Sequence, residues 1–539
     1  MFIIWTLSSC TPKEEVDLIL HNGLIYSLDA NNSKYEAMAV RNGKIIALGP
    51  EREILNGFKA KEYIDLEKKC VYPGFADAHM HIVGMAQMKF DVNLIGTKSF
   101  KEVLDALKNH TNQRQSGWLV GRGWDQNDWE NPNESIFKQL NAEFPDSPVV
   151  LLRIDGHAAI VNEFAMKKIA FNLKKWQSEN QVLMQGNEFT GIVLDNAMAE
   201  FQGRIPKLSP KEMSLGLILA QKECIAAGLT TIDEAGISLS DYRIIDSLQR
   251  AGEFELRVYA MLQDDESSWE YIRTHGPDTL SERLKLRAVK LMVDGALGSR
   301  GACLKSPYTD LIHTKGKILN SGDYYLYRMA EAFVNKWQVC THAIGDSANK
   351  EVMKWYSSIL VGKNNRRWRV EHAQVVDPLD FHYIQDLSLI LSVQPTHAVS
   401  DGPWAFERLG TQRIKSAYAY KTLLKESGML ALGTDAPVEE VSVLRTIVAS
   451  VFRTDIRNNN SPYAAEESLS MKETLYGLTV WPAISNFEEG VKGTLEVGKY
   501  ADLTVLGLDL FSCTESQLRK AKVEMTVIGG LVFKDGEKK

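Results

Sequence analysis

The 539-residue chain has no run of 18 or more apolar residues, which excludes a membrane-spanning helix. Its six cysteines, Cys10, Cys70, Cys224, Cys303, Cys340 and Cys513, include no C-x-x-C pair. That argues against a zinc knuckle, a thioredoxin-like site or a disulfide framework. There is no internal repeat and no low-complexity tract. Neither sign of charge dominates: 62 Lys and Arg stand against 69 Asp and Glu, a formal net charge of -7. Nothing electrostatic therefore points to nucleic acid or to an anionic membrane surface. With 44% hydrophobic and 24% charged residues, the chain is neither disordered nor fibrous. Its length suits three or four domains at about 150 residues each, or one large barrel with insertions.

The N-terminus has two readings. Leu7-Ser8-Ser9-Cys10 resembles a bacterial lipobox, in which the cysteine becomes the lipidated first residue. Residues 1–14 would then be a signal and tether, anchoring the protein to a membrane of the cell envelope without spanning it. The preceding apolar run is short and lacks a basic region. The other reading is an apolar end on a cytoplasmic protein.

Residues 15–70 carry short β-rich runs broken by Asn22-Gly23 and Asn42-Gly43, which are hairpin signals, and read as a small antiparallel sheet. The C-terminal segment, 488–539, has the same character, with Val523–Ile528 followed by Gly529-Gly530. The two ends are expected to pair into one discontinuous β-domain. Between them, 71–487 alternates short apolar strands with amphipathic stretches. Strands are expected near Val71, Thr230, Leu256, Ala288, Gln338, Arg369, Ile390 and Met429, eight in all. This alternation is the pattern of an α/β parallel barrel. A stretch of about 86–229 is too long for one crossover and reads as an inserted subdomain.

Ligand-type side chains stand at the C-terminal ends of these strands, where a barrel places its active site. In Pro73-Gly-Phe-Ala-Asp77-Ala-His79-Met-His81, the two histidines are two apart and share one face of a strand. They have the spacing to chelate one divalent ion at about 2.0–2.1 Å. A histidine also ends Cys340-Thr-His342 and Val370-Glu-His372, and an acid ends Leu432-Gly-Thr-Asp435. Any one of these histidines alone reads as a core residue. Four histidines and an aspartate at the strand ends of one barrel read as a metal site.

On these motifs the sequence resembles the amidohydrolase superfamily of metal-dependent hydrolases. In particular it resembles the amidohydrolase 3 branch, which holds N-substituted formamide deformylases. The likeness covers Pro73–His81, Thr341–Asp346, Val370–Gln374, Gly433–Pro437 and the tail Lys492–Leu503. It extends to Gly121–Gln126, Asp155-Gly-His157 and Asp294–Ser299 in the same branch.

The resemblance implies an α/β fold: a distorted (β/α)8 TIM-type barrel with a β-sandwich built from both chain ends. It implies His79, His81, His342 and His372 as metal ligands, and Asp435 as ligand and general acid/base. Lys290 is a further ligand if carbon dioxide carboxylates it, since a carbamate offers two oxygens; otherwise its ammonium would pair with an acid such as Asp294. One or two divalent ions, zinc foremost, would be held. His157 would reach the substrate.

Five further positions each carry two readings or a place in the substrate loop. Trp124 and Trp129 are pocket walls or core residues. His397, in Gln394-Pro-Thr-His397, enters the substrate loop after the seventh strand. Arg300 binds a substrate carboxylate or stabilises its own loop. Asp77 orients the histidines or caps its strand.

The expected activity is hydrolysis of a non-peptide C–N bond in a small N-acyl, N-formyl or cyclic amide. Deamination, ester hydrolysis or isomerisation on the same scaffold is the alternative, and a non-catalytic solute-binding lipoprotein a more distant one. No sequence feature speaks to the oligomeric state.

Overall fold

The computed structural model describes residues 13–111, 114–126, 129, 136–153, 158–179, 181–457 and 461–539, so Cys10 and His157 lie outside the described residues. It comprises two compact units, one made of the residues up to His81 with Gln221–Lys539, the other of Ile82–Ala220.

The larger unit holds eight parallel strands in chain order. They are β1 (Phe75–Met80), β2 (Leu229–Ile237), β3 (Arg257–Leu262), β4 (Leu284–Met292), β5 (Gln338–Ala343), β6 (Arg369–His372), β7 (Ile390–Val393) and β8 (Leu430–Leu432). Most are buried along their whole length, as strands covered on both faces must be. The intervening helices start at side-chain caps. Ser238 accepts from Asp241 N–H ahead of Leu239–Arg250, and Ser321 from Tyr324 N–H ahead of Gly322–Val334. The barrel is nearly closed. Just past β8, Asp435 N–H donates to His79 O at 2.7 Å, and His81 N–H donates to Ala436 O at 2.7 Å. Gly433 makes this seam possible, because a Cβ there would lie 2.6 Å from His79 N.

The strand expected near Val71 is not a barrel strand. Cys70–Pro73 pairs with Leu503–Leu506 and Leu24–Tyr26, and β1 begins only after Gly74. The chain passes from one sheet to the other at that glycine, where a Cβ would meet Thr230 Oγ1 at 2.3 Å.

The terminal segments form two sheets. One has four strands ordered Lys44–Gly49, Ala37–Arg41, Glu14–His21, Phe58–Asp65. The other has seven and mixes both chain ends, running from Glu537–Lys538 through Cys70–Pro73 to Lys34–Tyr35. Leu18, Leu20, Met38 and Val40 of the first pack with Ile25, Val71, Leu503, Val505 and Val527 of the second in one core.

The expected single antiparallel sheet over 15–70 is therefore corrected. Asn42-Gly43 is a two-residue hairpin, with both residues at positive φ. Asn22-Gly23 instead carries the chain between sheets. His21 O and Asn22 O accept from Leu66 and Lys68, not from a hairpin partner. Phe58–Asp65 pairs parallel with Glu14–His21.

The smaller unit has a six-stranded sheet from Val182–Gln185 to Val92–Asn93, with an apolar cluster on each face.

Candidate metal centre

His79 is fully buried at the end of β1. Its Nδ1 lies 2.5 Å from Glu371 Oε2, and its backbone N–H donates to Asp77 Oδ1 at 3.1 Å. With Nδ1 engaged, Nε2 is left as the ligand atom. It stands 3.1 Å from Lys290 Nζ and 3.6 Å from Asp435 Oδ1. His372 ends β6 in a matching way: Nδ1 lies 2.8 Å from Gln394 Oε1, which frees its Nε2. The ring centroids of His79 and His372 are 4.8 Å apart. One donor atom each from His79, His372 and Asp435 falls within 4.8 Å of the others.

The remaining candidates surround this trio. His342, from β5, has its ring centroid 4.4 Å from that of His372. Its Nε2 is buried without a hydrogen bond, 3.5 Å from Asp294 Oδ1. His81 is the most exposed of the set, and its Nε2 lies 3.1 Å from Asp435 Oδ1. His397 brings another buried Nε2 without a hydrogen bond to 3.7 Å from Asp435 Oδ2. His372, Ala373 and Asp435 all sit at positive φ, an uncommon conformation for non-glycine residues that recurs where a site imposes it.

Electrostatics suit this donor set to a cation. Burial, then the Lys290 charge, lowers the pKa of His79 to about 4. Burial also holds His342 and His372 well below the usual histidine value. All three imidazoles are neutral at pH 7, the form that binds metal. Burial pushes Asp435 upward, but the hydrogen bond from His81 leads the opposing effects and its carboxyl lies well below the usual value. Buried imidazole nitrogens without partners, converging with an ionised carboxylate, are the nitrogen and oxygen ligands a divalent transition ion takes.

Lys290 is buried at β4, and burial lowers its pKa. The expected alternative, an ion pair with Asp294, is not formed. Asp294 accepts backbone N–H groups from Cys303, Ile344 and Gly345 at 2.8–3.0 Å. Asp77 is likewise occupied by Thr434, through its N–H at 3.0 Å and its hydroxyl at 2.6 Å.

Two further sequence candidates have partners of their own. Trp124 is packed in the core of the smaller unit, 5.7 Å from Trp129, with its indole N–H donated to Leu151 O at 2.7 Å. This is the core-packing outcome. Arg300 is paired with Asp310 at 2.8 Å.

Three residues around the ligands were not singled out from sequence: Glu371, Arg369 and Gln394. One signal was available. Arg369 and Glu371 alternate in the short strand run Arg-Val-Glu-His, and charges inside a buried strand need partners.

Residues 62–533 match the profile of the amidohydrolase family. The chain belongs to that family. It is an enzyme. The Bacillus subtilis protein YtcJ, named an amidohydrolase, is 30% identical over 95% of this chain and 98% of its own length. An N-substituted formamide deformylase from Arthrobacter pascens is 23% identical over 96% of this chain and 98% of its own. An uncharacterized metal-dependent hydrolase from Pyrococcus horikoshii, solved by crystallography, is 26% identical with a TM-score of 0.79. That alignment covers 93% of this chain and 99% of the other.

Proposed function

We propose that this amidohydrolase is a metal-dependent hydrolase of a non-peptide C–N bond in a small N-acyl, N-formyl or cyclic amide. The observation that carries the reading is the convergence of His79, His372 and Asp435, with neutral imidazoles beside an ionised carboxylate. The similarity to a formamide deformylase supports the bond class.

In this reading His79, His81, His342, His372 and Asp435 hold one or two divalent ions, zinc foremost, with Lys290 joining them as its carbamate. Such an ion supplies Lewis acidity at the scissile carbonyl and an acidified water. Asp435, ionised at neutral pH, takes a proton at a carboxylate oxygen from the attacking water. It then delivers that proton to the leaving nitrogen, whose departure as an anion would otherwise be prohibitive. Glu371 and Gln394 keep the Nδ1 atoms of His79 and His372 engaged, so each ring holds one orientation. His397, its Nε2 turned to the second oxygen of Asp435, donates to the bound amide. His157 is assigned to the same pocket on sequence alone, and Cys10 to a lipid anchor in the cell envelope.

The test pairs elemental analysis of protein purified without chelator with turnover of a panel of N-formyl, N-acyl and cyclic amides, aminopurines and esters. Bound metal with amide turnover supports the reading. Bound metal with turnover confined to aminopurines or esters moves the reaction to deamination or ester hydrolysis. No bound metal overturns it. Labelling of expressing cells with an alkyne fatty acid tests the anchor: Cys10→Ser should abolish incorporation, and an unlabelled wild type would reject lipidation.

A further inference from the structure

We propose that Arg369 is a positioning residue for His79. The inference rests on the metal-site reading above and extends it to a residue outside the ligand set. Arg369 opens β6 and is fully buried. A guanidinium offers five N–H donors and no acceptor. Here every nitrogen donates to an oxygen. Nε reaches Glu371 Oε1 at 2.7 Å, and Nη1 reaches Asp233 Oδ2 at 2.8 Å. Nη2 reaches Ser392 Oγ at 3.0 Å, Glu371 Oε2 at 3.2 Å and the carbonyl of Ala78.

Two of these contacts converge on His79 from different sides. Glu371 Oε2, clamped by the fork of the guanidinium, is the atom that engages His79 Nδ1. Ala78 O belongs to the peptide that joins Ala78 to His79. One side chain therefore grips the His79 ring through a carboxylate and the His79 backbone through a carbonyl. Asp233 on β2 and Ser392 on β7 fix the guanidinium in turn. Desolvating buried charges is costly, so a buried ion pair is weak grounds for assigning a purely stabilising role. A fork whose contacts meet on one ligand fits positioning. Lysine keeps the charge but cannot reproduce the bidentate geometry.

The experiment titrates zinc into metal-stripped protein against a chromophoric chelator, with melting of the metal-free protein followed in parallel. Wild type, Arg369→Lys and Arg257→Lys are compared. Arg257 is a second buried arginine, paired with Asp502. Arg369→Lys is expected to bind zinc about 10- to 100-fold more weakly, the usual effect of losing an outer-shell partner. Arg257→Lys should lower the melting temperature and leave zinc affinity unchanged. Wild-type zinc affinity in Arg369→Lys, with only its melting temperature lowered, overturns the proposal. Should Arg369→Lys fail to fold, Asp233→Asn decides. It loosens the far end of the guanidinium while leaving Glu371 and His79 in place. About tenfold weaker binding supports positioning, and unchanged binding overturns it. A wild type that takes up no zinc overturns the metal-site reading, and this proposal with it.

Discussion

Asp77 and Thr434, 357 residues apart, join the first and last barrel strands through two hydrogen bonds, 3.0 Å from the Thr434 N–H and 2.6 Å from its hydroxyl. The same Asp77 accepts the His79 N–H. The seam that closes the barrel is thus also the seam that sets His79 beside Asp435. Burial pushes Asp77 up to about 7, so its carboxyl depends on these donors. Thr434→Val removes the hydroxyl and leaves Asp77 Oδ2 buried without it. The expected loss is about 1–3 kcal/mol of unfolding free energy, measured by denaturant titration of metal-free protein. A change within error would mean that the seam is held by its backbone bonds alone.

Asp435→Asn should keep bound metal and lose turnover by about 10²- to 10⁴-fold, the usual worth of a positioned acid/base. Activity and metal content are to be measured on one preparation. Near-normal turnover with full metal would remove Asp435 from the proton path.

Lys290→Ala separates two metal stoichiometries. If the lysine bridges two ions as a carbamate, elemental analysis should fall from about two metals per chain to one or none. One metal in both proteins would assign a mononuclear site with Lys290 in a supporting role.

The buried histidines should each contribute a loss of stability in acid to the metal-free protein. Burial and the Lys290 charge hold His79 at about 4 when folded, against 6.5 for the free side chain. The folded pKa is the lower one, so between these values the unfolded chain binds more protons. Stability is fully present above pH 6.5 and falls as pH drops toward 4, by about 3 kcal/mol from this group. His342 and His372 shift in the same direction and add to the loss. Asp77, pushed up to about 7 by burial, shifts stability the opposite way over the same window. The check is therefore an NMR titration of the His79 ring in stripped protein; protonation near 6.5 would contradict the neutral-imidazole picture.

Trp124→Ala should cost about 3–5 kcal/mol of stability, because the side chain fills a core. KM for any substrate should stay unchanged. A raised KM with an unaltered melting temperature would return Trp124 to the pocket wall.

Much of the site was legible because a parallel barrel ties position to role. His79, His342, His372 and Asp435 each close a strand run, and the ends of such strands face one opening. Lys290 was legible as a ligand type, but its freedom from Asp294 was not. Asp294 turns away to three backbone N–H groups supplied by two later segments. The terminal sheets were legible as β-structure but not in their pairing. Asn22-Gly23 and Asn42-Gly43 are the same dipeptide, and one makes a hairpin while the other crosses between sheets.

Taken by itself, the sequence determined the alternation that builds the barrel and the chemical types of the donors at its strand ends. Both are local properties: side-chain period, turn residues and the identity of the residue ending each apolar run. Only the tertiary structure decided which donor faces which. Asp233, Arg369, Glu371 and His79 lie on three different strands and form one buried chain of ion pairs and hydrogen bonds. Bringing such groups out of water is unfavourable until all of them are assembled. Their partners are therefore chosen by the closed barrel, and no neighbouring stretch of sequence encodes the choice.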